Sequence, residues 1–297
     1  MLNRRTMLQL TAAAVAAGPG AFRKILADEP GPRKRLLFFT KSSGFEHQVV
    51  KREDGQPAFA ERVMQDFADQ AGFDIEISKD GTLFDQPLDR FDAFFFYTTG
   101  DLTTAGTDGQ PPMSQAGKSA LLKAIADGKG FCGSHCASDT FHSPGEQWKN
   151  QETAAIDPFI EMLGGEFISH GEQQQAIMRL VSEQFPGLAE LGREFSLHEE
   201  WYSLKNYTPD LHVVLLQETA GMKNRDYQRP PFPATWARRH HNGRVFYTSM
   251  GHREDIWTNK IFQAYLGVGL AWALGSLDVD VPPNLAEVSP GATTLPA

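Results

Sequence analysis

The chain has 297 residues, of which 28 are basic and 37 acidic, and its formal net charge is −9. A chain of this length can bury a full hydrophobic core, and its acidic balance argues against a nucleic-acid-binding protein, because such proteins carry a basic face. Hydrophobic residues make up 41% of the chain and include 21 phenylalanines, which excludes a disordered polypeptide. Two cysteines cannot form a disulfide framework.

The first 27 residues resemble a twin-arginine export signal. Arg4 and Arg5 precede a short alanine-rich stretch, which is too short to span a membrane. We predict that residues 1–27 are removed and that residues 28–34 form a linker. The mature protein is then periplasmic or secreted and has no stable membrane insertion. The alternative is an ordinary basic, amphipathic N-terminus.

Alternating element types follow the linker. Apolar runs or two-residue alternation predict four strands, over residues 35–40, 73–78, 93–97 and 130–133. Apolar residues at helical spacing predict helices between them, over residues 57–70 and 114–127. This order is typical of an α/β fold with a mostly parallel sheet and helices on both faces.

The second half of the chain is more mixed. Its apolar patterns predict helices over residues 156–163 and 259–274 and strands over residues 174–181, 212–217, 235–240 and 244–248. Asn242-Gly243 between the last two strands predicts a two-residue β-hairpin turn. We predict one domain over residues 35–276 and a loose, proline-containing tail over residues 277–297.

Four histidines share one context, because each follows or ends an apolar, strand-like segment: His47, His135, His170 and His252. In open α/β sheets, ligands bind outside the carboxyl ends of the strands, so neighbouring strand ends would bring these imidazoles into one pocket. Histidine at such a place can relay protons or bind a divalent metal, and the sequence leaves both open. A single histidine at a strand end is more often structural, but the repeated context favours a site.

Two further segments are candidates for binding a polar ligand. Glu200 lies beside Trp201 and Tyr202, and a carboxylate next to aromatic rings can hold a sugar; a surface turn with a buried tryptophan fits equally well. The end of the third strand supplies more polar groups, which could bind a ligand or cap a helix: Thr99, Gly100 and Asp101.

Several ordered motifs together resemble the ThuA-like (trehalose-utilisation) family. They are Thr40–His47, Tyr97–Asp101, Gly130–Thr140, Leu163–His170, Glu200–Tyr202, Pro233–Arg239 and Gly243–His252. The resemblance covers nearly the whole mature chain. It implies a flavodoxin-like fold related to class I glutamine amidotransferases, here with an added β-hairpin.

In the amidotransferase relatives, a cysteine nucleophile sits on a strand-to-helix elbow. The matching elbow here is Gly133-Ser134-His135, so His135 occupies the place of the nucleophile, and the ThuA-like family generally lacks the amidotransferase triad. Cys136 departs from the alanine expected one residue later. A one-residue shift re-aims the side chain, so we interpret Cys136 as a small packing residue in preference to a nucleophile.

The resemblance implies a role in sugar utilisation, especially of disaccharides oxidised to 3-keto sugars. Removing the acidic proton beside the carbonyl of a keto-sugar requires a base, and the enolate requires a cation or hydrogen-bond donors. We therefore expect an enzyme of carbohydrate catabolism, with or without a divalent metal. The expected catalytic residues are His47, His135, His170, Glu200 and His252. The expected substrate-binding residues are Thr99, Gly100, Asp101, Ser134, Asp139, Trp201 and Tyr202.

Two other functions stay open at this point. The chain could be a noncatalytic carbohydrate-binding protein on an amidotransferase-like scaffold, or a cysteine hydrolase that uses Cys136. The partner that we expect is a small-molecule carbohydrate.

Overall fold

A computed structural model describes residues 32–296, so the proposed export signal and most of the linker lie outside the described residues. The strands are β1 (Arg35–Phe39), β2 (Asp74–Ser78), β3 (Ala93–Phe96), β4 (Gly130–Ser134), β5 (Glu166–His170), β6 (Gln174–Leu180), β7 (Glu194–Glu199), β8 (Tyr202–Lys205), β9 (His212–Glu218), β10 (Phe232–His240) and β11 (Gly243–Thr248). The α-helices are α1 (Phe59–Ala71), α2 (Gln115–Ala126), α3 (Pro158–Leu163), α4 (Glu254–Trp257), α5 (Lys260–Ala273) and α6 (Leu285–Val288).

Nine strands form one mixed sheet in the order β2-β1-β3-β4-β11-β10-β9-β6-β7. The pairs from β2 to β11 are parallel, and those from β11 to β7 are antiparallel. The remaining strands, β5 and β8, pair in a separate antiparallel ribbon. The predicted α/β, flavodoxin-like fold is confirmed, with the parallel half of the sheet built from the strands that the apolar runs indicated.

Helices cover both faces of the parallel half. On one side α4 contacts both α1 and α5, and α5 packs on β4 and β11. On the other side α2 and α3 contact each other and β11. Because both faces are covered, a strand such as β3 is buried at every position, which explains its unbroken apolar sequence. Among the described residues, no helix combines the length and the apolar character needed to cross a membrane.

The β10–β11 hairpin forms one residue earlier than predicted. His240 pairs with Gly243, so the turn residues are His241 and Asn242, and His241 takes a left-handed conformation (φ +52°). Gly243 is a strand residue at a close approach, because a Cβ there would collide with the carbonyl oxygen of Ile125 in α2. The glycine is therefore needed for packing against the helix and not for the turn itself.

The segment after α5 packs against the domain, and the prediction of a loose tail was wrong for residues 277–296. Val279, Val281 and Leu285 are buried. Asn284 binds the main chain of Val213 in β9 through both its side-chain oxygen and its side-chain nitrogen. The prolines suggested an unstructured end, but they alternate with apolar residues that cover the antiparallel half of the sheet.

Candidate functional site

Three histidines and one carboxylate meet at the carboxyl edge of the parallel strands. His47 lies in the loop after β1, His135 directly follows β4, and His252 lies four residues beyond β11. Since these strands run parallel in one sheet, their ends share an edge, and Glu200 reaches the same point from the segment between β7 and β8. One ligand atom of each of the four residues lies within 4.8 Å of the others, a spacing that could hold a metal ion.

The elbow after β4 places His135 at the centre of this group. His135 has a positive φ of +45°, which is uncommon for a residue other than glycine and is maintained only where surrounding contacts enforce it. The Tyr247 hydroxyl donates to the His135 carbonyl oxygen at 2.7 Å, and the Ser134 hydroxyl donates to the carbonyl oxygen of Met250 at 2.7 Å. The strained turn is thereby fixed to β11 and to the loop that follows it.

The His135 ring is oriented by the main chain. Its Nδ1 lies 3.0 Å from the carbonyl oxygen of Ser249, and because a carbonyl only accepts, Nδ1 carries the proton. Nε2 then presents its lone pair to Glu200 Oε2, at 3.5 Å, and to His252 Nδ1, at 3.3 Å. His252 Nδ1 lies 3.1 Å from the same Glu200 oxygen. The three atoms form a closed triangle.

Glu199, which sequence reasoning did not assign to the site, links its two halves. The fully buried carboxylate accepts hydrogen bonds from the backbone N–H groups of Gly251 and His252 and from that of Glu200. Burial raises the pKa of Glu199 to about 7, although these backbone donors favour the charged form. Glu199 therefore fixes the loop that carries His252 to the segment that carries Glu200.

His47 is more deeply buried than Glu200 and His252. Its Nε2 lies 3.4 Å from the Tyr202 hydroxyl, and its ring packs edge to face on Phe45, His135 and His252. Its Nδ1 is buried and has no hydrogen-bond partner among the described residues. A buried nitrogen without a partner costs free energy unless something else binds it.

The charges of the cluster follow from its burial. Burial lowers the pKa of His47 well below its ordinary value, and it also lowers that of His135. Burial opposes the charged form of Glu200, but the contacts with the His135 and His252 imidazoles hold the pKa of this carboxyl well below its ordinary value. At neutral pH, the site thus combines neutral imidazoles at His47 and His135 with an ionised carboxylate at Glu200.

A pocket of about 450 Å³ opens above this cluster. Its walls include four residues that sequence analysis placed in the site, His47, His170, Glu200 and His252, together with the proposed binding residues Asp139 and Tyr202. Phe45 and Phe167, which the sequence did not single out, complete the lining. Phe45 stands at the mouth with 68% of its surface exposed. The pocket has a polar base and aromatic walls.

His170 reaches the pocket by a different route from the other histidines. It ends β5, which belongs to the two-stranded ribbon and not to the parallel sheet on which the sequence argument relied. Its Nδ1 lies 3.0 Å from the carbonyl oxygen of Gly171 and 3.4 Å from Glu200 Oε1. Its ring stacks on Tyr202. Because Nδ1 donates to the carbonyl, Nε2 carries the lone pair of this half-exposed imidazole.

A second ion-pair network borders the pocket through Asp139. His142 Nε2 lies 2.6 Å from Asp139 Oδ1, and His142 Nδ1 lies 3.2 Å from Glu166 Oε1. Burial disfavours the charged form of His142, but hydrogen bonds to these two carboxylates raise its pKa to about 9. Glu166 is itself buried and contacts Lys205 and Asn206. The network fixes Asp139 with a cationic partner at neutral pH.

Five of the seven proposed binding residues do not line the pocket. Trp201 is fully buried, and its indole N–H donates to the carbonyl oxygen of Gln174, so it cannot act as the sugar platform that its position beside Glu200 suggested. The other four support the site from behind or cap a turn: Thr99, Gly100, Asp101 and Ser134. Thr99 Oγ1, for example, donates to the carbonyl oxygen of Phe45.

Cys136 lies behind the elbow in the hydrophobic core. It is 1% exposed, and burial raises the pKa of its thiol well above the ordinary value. A cysteine nucleophile requires an accessible thiolate, so this environment opposes the hydrolase alternative and fits a packing residue. Both cysteines are free thiols.

The comparison with protein families identifies the family of the chain. The family model described as ThuA, trehalose utilisation, matches residues 35–273. The chain belongs to the ThuA family. That membership associates it with a carbohydrate-related role. No curated protein matches the sequence.

Solved structures of ThuA-like proteins share the fold. One from Bacteroides uniformis has a TM-score of 0.59 at 19% sequence identity, covering 82% of this chain and 93% of its own. Another from Parabacteroides merdae has a TM-score of 0.55 at 14% identity, covering 90% of this chain and 97% of its own. At this identity, the similarity concerns the fold alone.

Proposed function

We propose that this ThuA-family protein is an enzyme that processes a sugar or keto-sugar, derived from a disaccharide, by histidine and glutamate acid–base chemistry. The observation that carries the proposal is the convergence of His47, His252 and Glu200 on one pocket, with the fully buried His135 directly behind them and His170 beside them. So many imidazoles around one carboxylate exceed what packing requires, and groups of this kind cluster at catalytic sites.

The shape and lining of the pocket suit a sugar. Its volume of about 450 Å³ lies in the range of small-molecule sites, roughly 300–1,000 Å³. The rings of Phe45 and Phe167 can pack against the apolar face of a pyranose, while Asp139 and Glu200 can accept hydrogen bonds from its hydroxyl groups. Aromatic walls with a few convergent polar groups are what a carbohydrate site requires.

His170 is the residue best suited to act as the base. Its Nδ1–H is held by the Gly171 carbonyl, so its basic Nε2 is free to remove a proton from a substrate in the pocket. Glu200 lies 3.4 Å from the same Nδ1 and stabilises the imidazolium that forms. The Gly171 carbonyl thus sets the tautomer of the half-exposed His170, and the Glu200 carboxylate supplies the counter-charge.

The buried cluster would stabilise the charge that develops on the substrate. When the proton beside a keto group leaves, the C–H electron pair moves into a new C=C bond and the carbonyl oxygen becomes an enolate oxygen. In a 3-keto-disaccharide, the glycosidic oxygen lies on the next carbon. When the enolate collapses, the carbonyl re-forms and the C=C electron pair makes a new double bond to that carbon. The glycosidic C–O bond breaks with its own electron pair, and the released oxygen takes up a proton from the His170 imidazolium or from solvent. An enolate requires a cation or hydrogen-bond donors. Of the cluster, His47 and His252 line the pocket and could donate an N–H, and a divalent ion would supply the cation if the cluster binds one.

Turnover measurements on a 3-keto-disaccharide test this proposal. The full chain and the single variants His135→Ala and His170→Ala would be incubated with the sugar, and its consumption followed by NMR. The matched control is His198→Ala, because His198 is an exposed histidine on β7 outside the pocket. We expect turnover by the wild type and His198→Ala and a loss of at least about 100-fold in both site variants.

Two results would contradict the proposal. Unchanged rates in both site variants would remove the cluster from catalysis. Binding of the sugar by the wild type without any chemical change would favour the alternative, a noncatalytic carbohydrate-binding protein.

We also propose that the enzyme works in the periplasm or outside the cell. The support is the Arg4-Arg5 pair followed by a short alanine-rich stretch, which is typical of twin-arginine signals. Removal of four basic residues and no acid with that segment leaves a more acidic domain, which is compatible with a neutral sugar as its partner.

A further inference from the structure

The triangle formed by His135, His252 and Glu200 brings three possible ligand atoms together at one point. His135 Nδ1 donates to the carbonyl oxygen of Ser249, so Nε2 faces the other two atoms. His252 Nδ1 lies 3.3 Å from His135 Nε2 and 3.1 Å from Glu200 Oε2. The remaining edge, between His135 Nε2 and Glu200 Oε2, is 3.5 Å, and a cation at the centre of the triangle would contact all three atoms.

The dimensions of the triangle match the coordination sphere of a metal. In a tetrahedral zinc site with bonds of about 2.0–2.1 Å, neighbouring ligand atoms are about 3.3–3.4 Å apart. The three edges here measure 3.1, 3.3 and 3.5 Å. A metal ion on this triangle would therefore reach all three atoms with little movement of the side chains.

His47 supplies the fourth ligand and an independent indication of a bound group. The residue is 3% exposed, and its Nδ1 has no hydrogen-bond partner among the described residues, although one of its ring nitrogens lies within 4.8 Å of the other three ligand atoms. Its Nε2 faces the Tyr202 hydroxyl. A bound group that reaches this nitrogen would remove the cost of burying it without a partner.

The surroundings of the cluster have the outer contacts that metal ligands usually have. Metal-binding histidines donate their second N–H to a carbonyl or carboxylate, which fixes the ring, and His135 does so through Ser249. The loop carrying His252 and the segment carrying Glu200 are fixed by the Glu199 carboxylate, through three backbone N–H groups. The ligands are thus held in place before any ion binds.

We propose that His47, His135, His252 and Glu200 form a binding site for one divalent transition-metal ion, with Zn²⁺ as the best match. Three imidazoles and one carboxylate favour zinc and its neighbours in the first transition row, whereas Mg²⁺ and Ca²⁺ prefer sites made of oxygen atoms. When bound, the ion supplies a Lewis acid for a sugar oxygen in the pocket. The inference rests on the site of the proposed function but concerns metal binding alone.

Metal binding can be measured without any sugar. The full chain, purified without chelator, would be analysed for metal by mass spectrometry, then stripped with chelator and titrated with Zn²⁺ or Mg²⁺ by calorimetry. We expect one Zn²⁺ per chain and no comparable binding of Mg²⁺. The variants are Glu200→Gln, which keeps the size of the side chain, and His252→Asn, with His198→Ala as the matched control. We expect zinc affinity to fall at least about 100-fold in the two site variants. Removing a residue that only hydrogen-bonds to a metal ligand typically costs about 10- to 100-fold, and removing a ligand should cost at least as much.

Two further measurements keep the test decisive if a variant fails to fold. Co²⁺ added to the stripped wild type should give strong visible bands of a low-symmetry site with nitrogen ligands, and no variant is required for this. His170→Ala should retain zinc within about tenfold, because His170 contacts Glu200 only from outside the triangle. If His170→Ala binds zinc but the wild type leaves keto-sugars unchanged, the proposed function fails and this inference stands.

Three results would overturn the inference. The wild type could bind no stoichiometric Zn²⁺, Co²⁺ could show only the weak spectrum of the aqueous ion, or Glu200→Gln and His252→Asn, both folded, could bind zinc like His198→Ala. Each outcome would mean that hydrogen bonds alone hold the cluster together and that no metal ion binds there.

Discussion

The ring of His135 is held by the main chain of Ser249, whose carbonyl oxygen accepts a hydrogen bond from Nδ1 at 3.0 Å. This single contact sets the tautomer of the buried imidazole and directs Nε2 toward Glu200. It depends on the parallel pairing of β4 with β11, which aligns Ser134 with Thr248 and brings the two loops that follow them together. The chemistry of the site therefore begins with the register of two strands.

The first prediction concerns Gly251, which joins these loops. Its φ is +125°, which is unfavourable for any L-amino acid with a side chain, and a Cβ there would also lie too close to Ser134 Oγ, at 2.6 Å. We expect Gly251→Ala to lower the free energy of unfolding by at least about 2 kcal/mol, measured by urea denaturation, and to reduce turnover by displacing His252.

The control for this variant is Gly221→Ala. Gly221 also has a positive φ, of +82°, but a Cβ there would meet nothing within 4 Å. It should therefore show only the backbone cost, about 1 kcal/mol. Equal destabilisation of the two variants would mean that the contact with Ser134 is not restrictive.

A pH dependence of stability should come from His142. Its pKa is raised from 6.5 to about 9 by Asp139 and Glu166, against the effect of burial, so the charged form is favoured in the folded state. Its contribution to the free energy of unfolding is thus fully present below about pH 6.5 and is lost as the pH rises through about 9. The pKa of Glu166 is lowered by the same pair despite burial, so its own contribution is lost as the pH falls below 4.5.

Comparison with His142→Gln measures this contribution. The wild type should be more stable than the variant at pH 6 and lose that advantage by pH 10, and the difference should stay within about 1 kcal/mol because 45% of the His142 side chain is exposed. Urea unfolding at pH 6, 8 and 10 checks this. An advantage that stays constant or grows with pH would contradict the assignment of a raised pKa.

Phe45 should contribute to sugar binding and little to stability. It is 68% exposed at the mouth of the pocket, so its removal deletes a stacking surface and hardly any core contact. We expect Phe45→Ala to weaken sugar binding roughly 2- to 10-fold, as measured by calorimetry, with unchanged thermal unfolding. Ile177→Ala is the control, since Ile177 is also an exposed apolar residue but lies on β6 outside the pocket lining. An equal effect of the two changes would exclude Phe45 as a binding surface.

Most of the fold could be predicted from the sequence, because the parallel strands are buried on both faces and appear as apolar runs. The site was harder to predict, and the pair Trp201 and Tyr202 shows why. Neighbouring residues in extended chain point to opposite sides, so only one of the two can face the pocket. That choice depends on β8, a short strand that pairs with β5, and neither its existence nor its partner is apparent from a local pattern.

The same reasoning applies to Glu199 and Glu200. The two carboxylates are adjacent in sequence, yet one is fully buried against backbone N–H groups and the other lines the pocket. Only the position of the Gly251 loop, which comes from a distant part of the chain, separates their roles. His142 is likewise not part of the predicted site, since nothing near it in the sequence shows that Glu166 lies beside it.

Export can be tested independently of the site. Replacing Arg4 and Arg5 together with lysine should leave the protein in the cytoplasm of a bacterial host that has a twin-arginine pathway, since the pathway requires the paired arginines. Cell fractionation followed by immunoblotting measures this, with Arg23→Lys as the control. Equal periplasmic amounts of the double variant and the wild type would contradict the export proposal.

The central claim is that the pocket removes a proton from a keto-sugar, and hydrogen exchange with the solvent tests it most directly. A 3-keto-disaccharide would be incubated with the full chain in D₂O, and NMR would follow the carbon beside the keto group. We predict that deuterium enters at this carbon, or in the product derived from it, faster than without protein, and at least about 100-fold more slowly with His170→Ala than with His198→Ala. A wild-type protein that binds the sugar but leaves its hydrogen atoms in place would contradict the account.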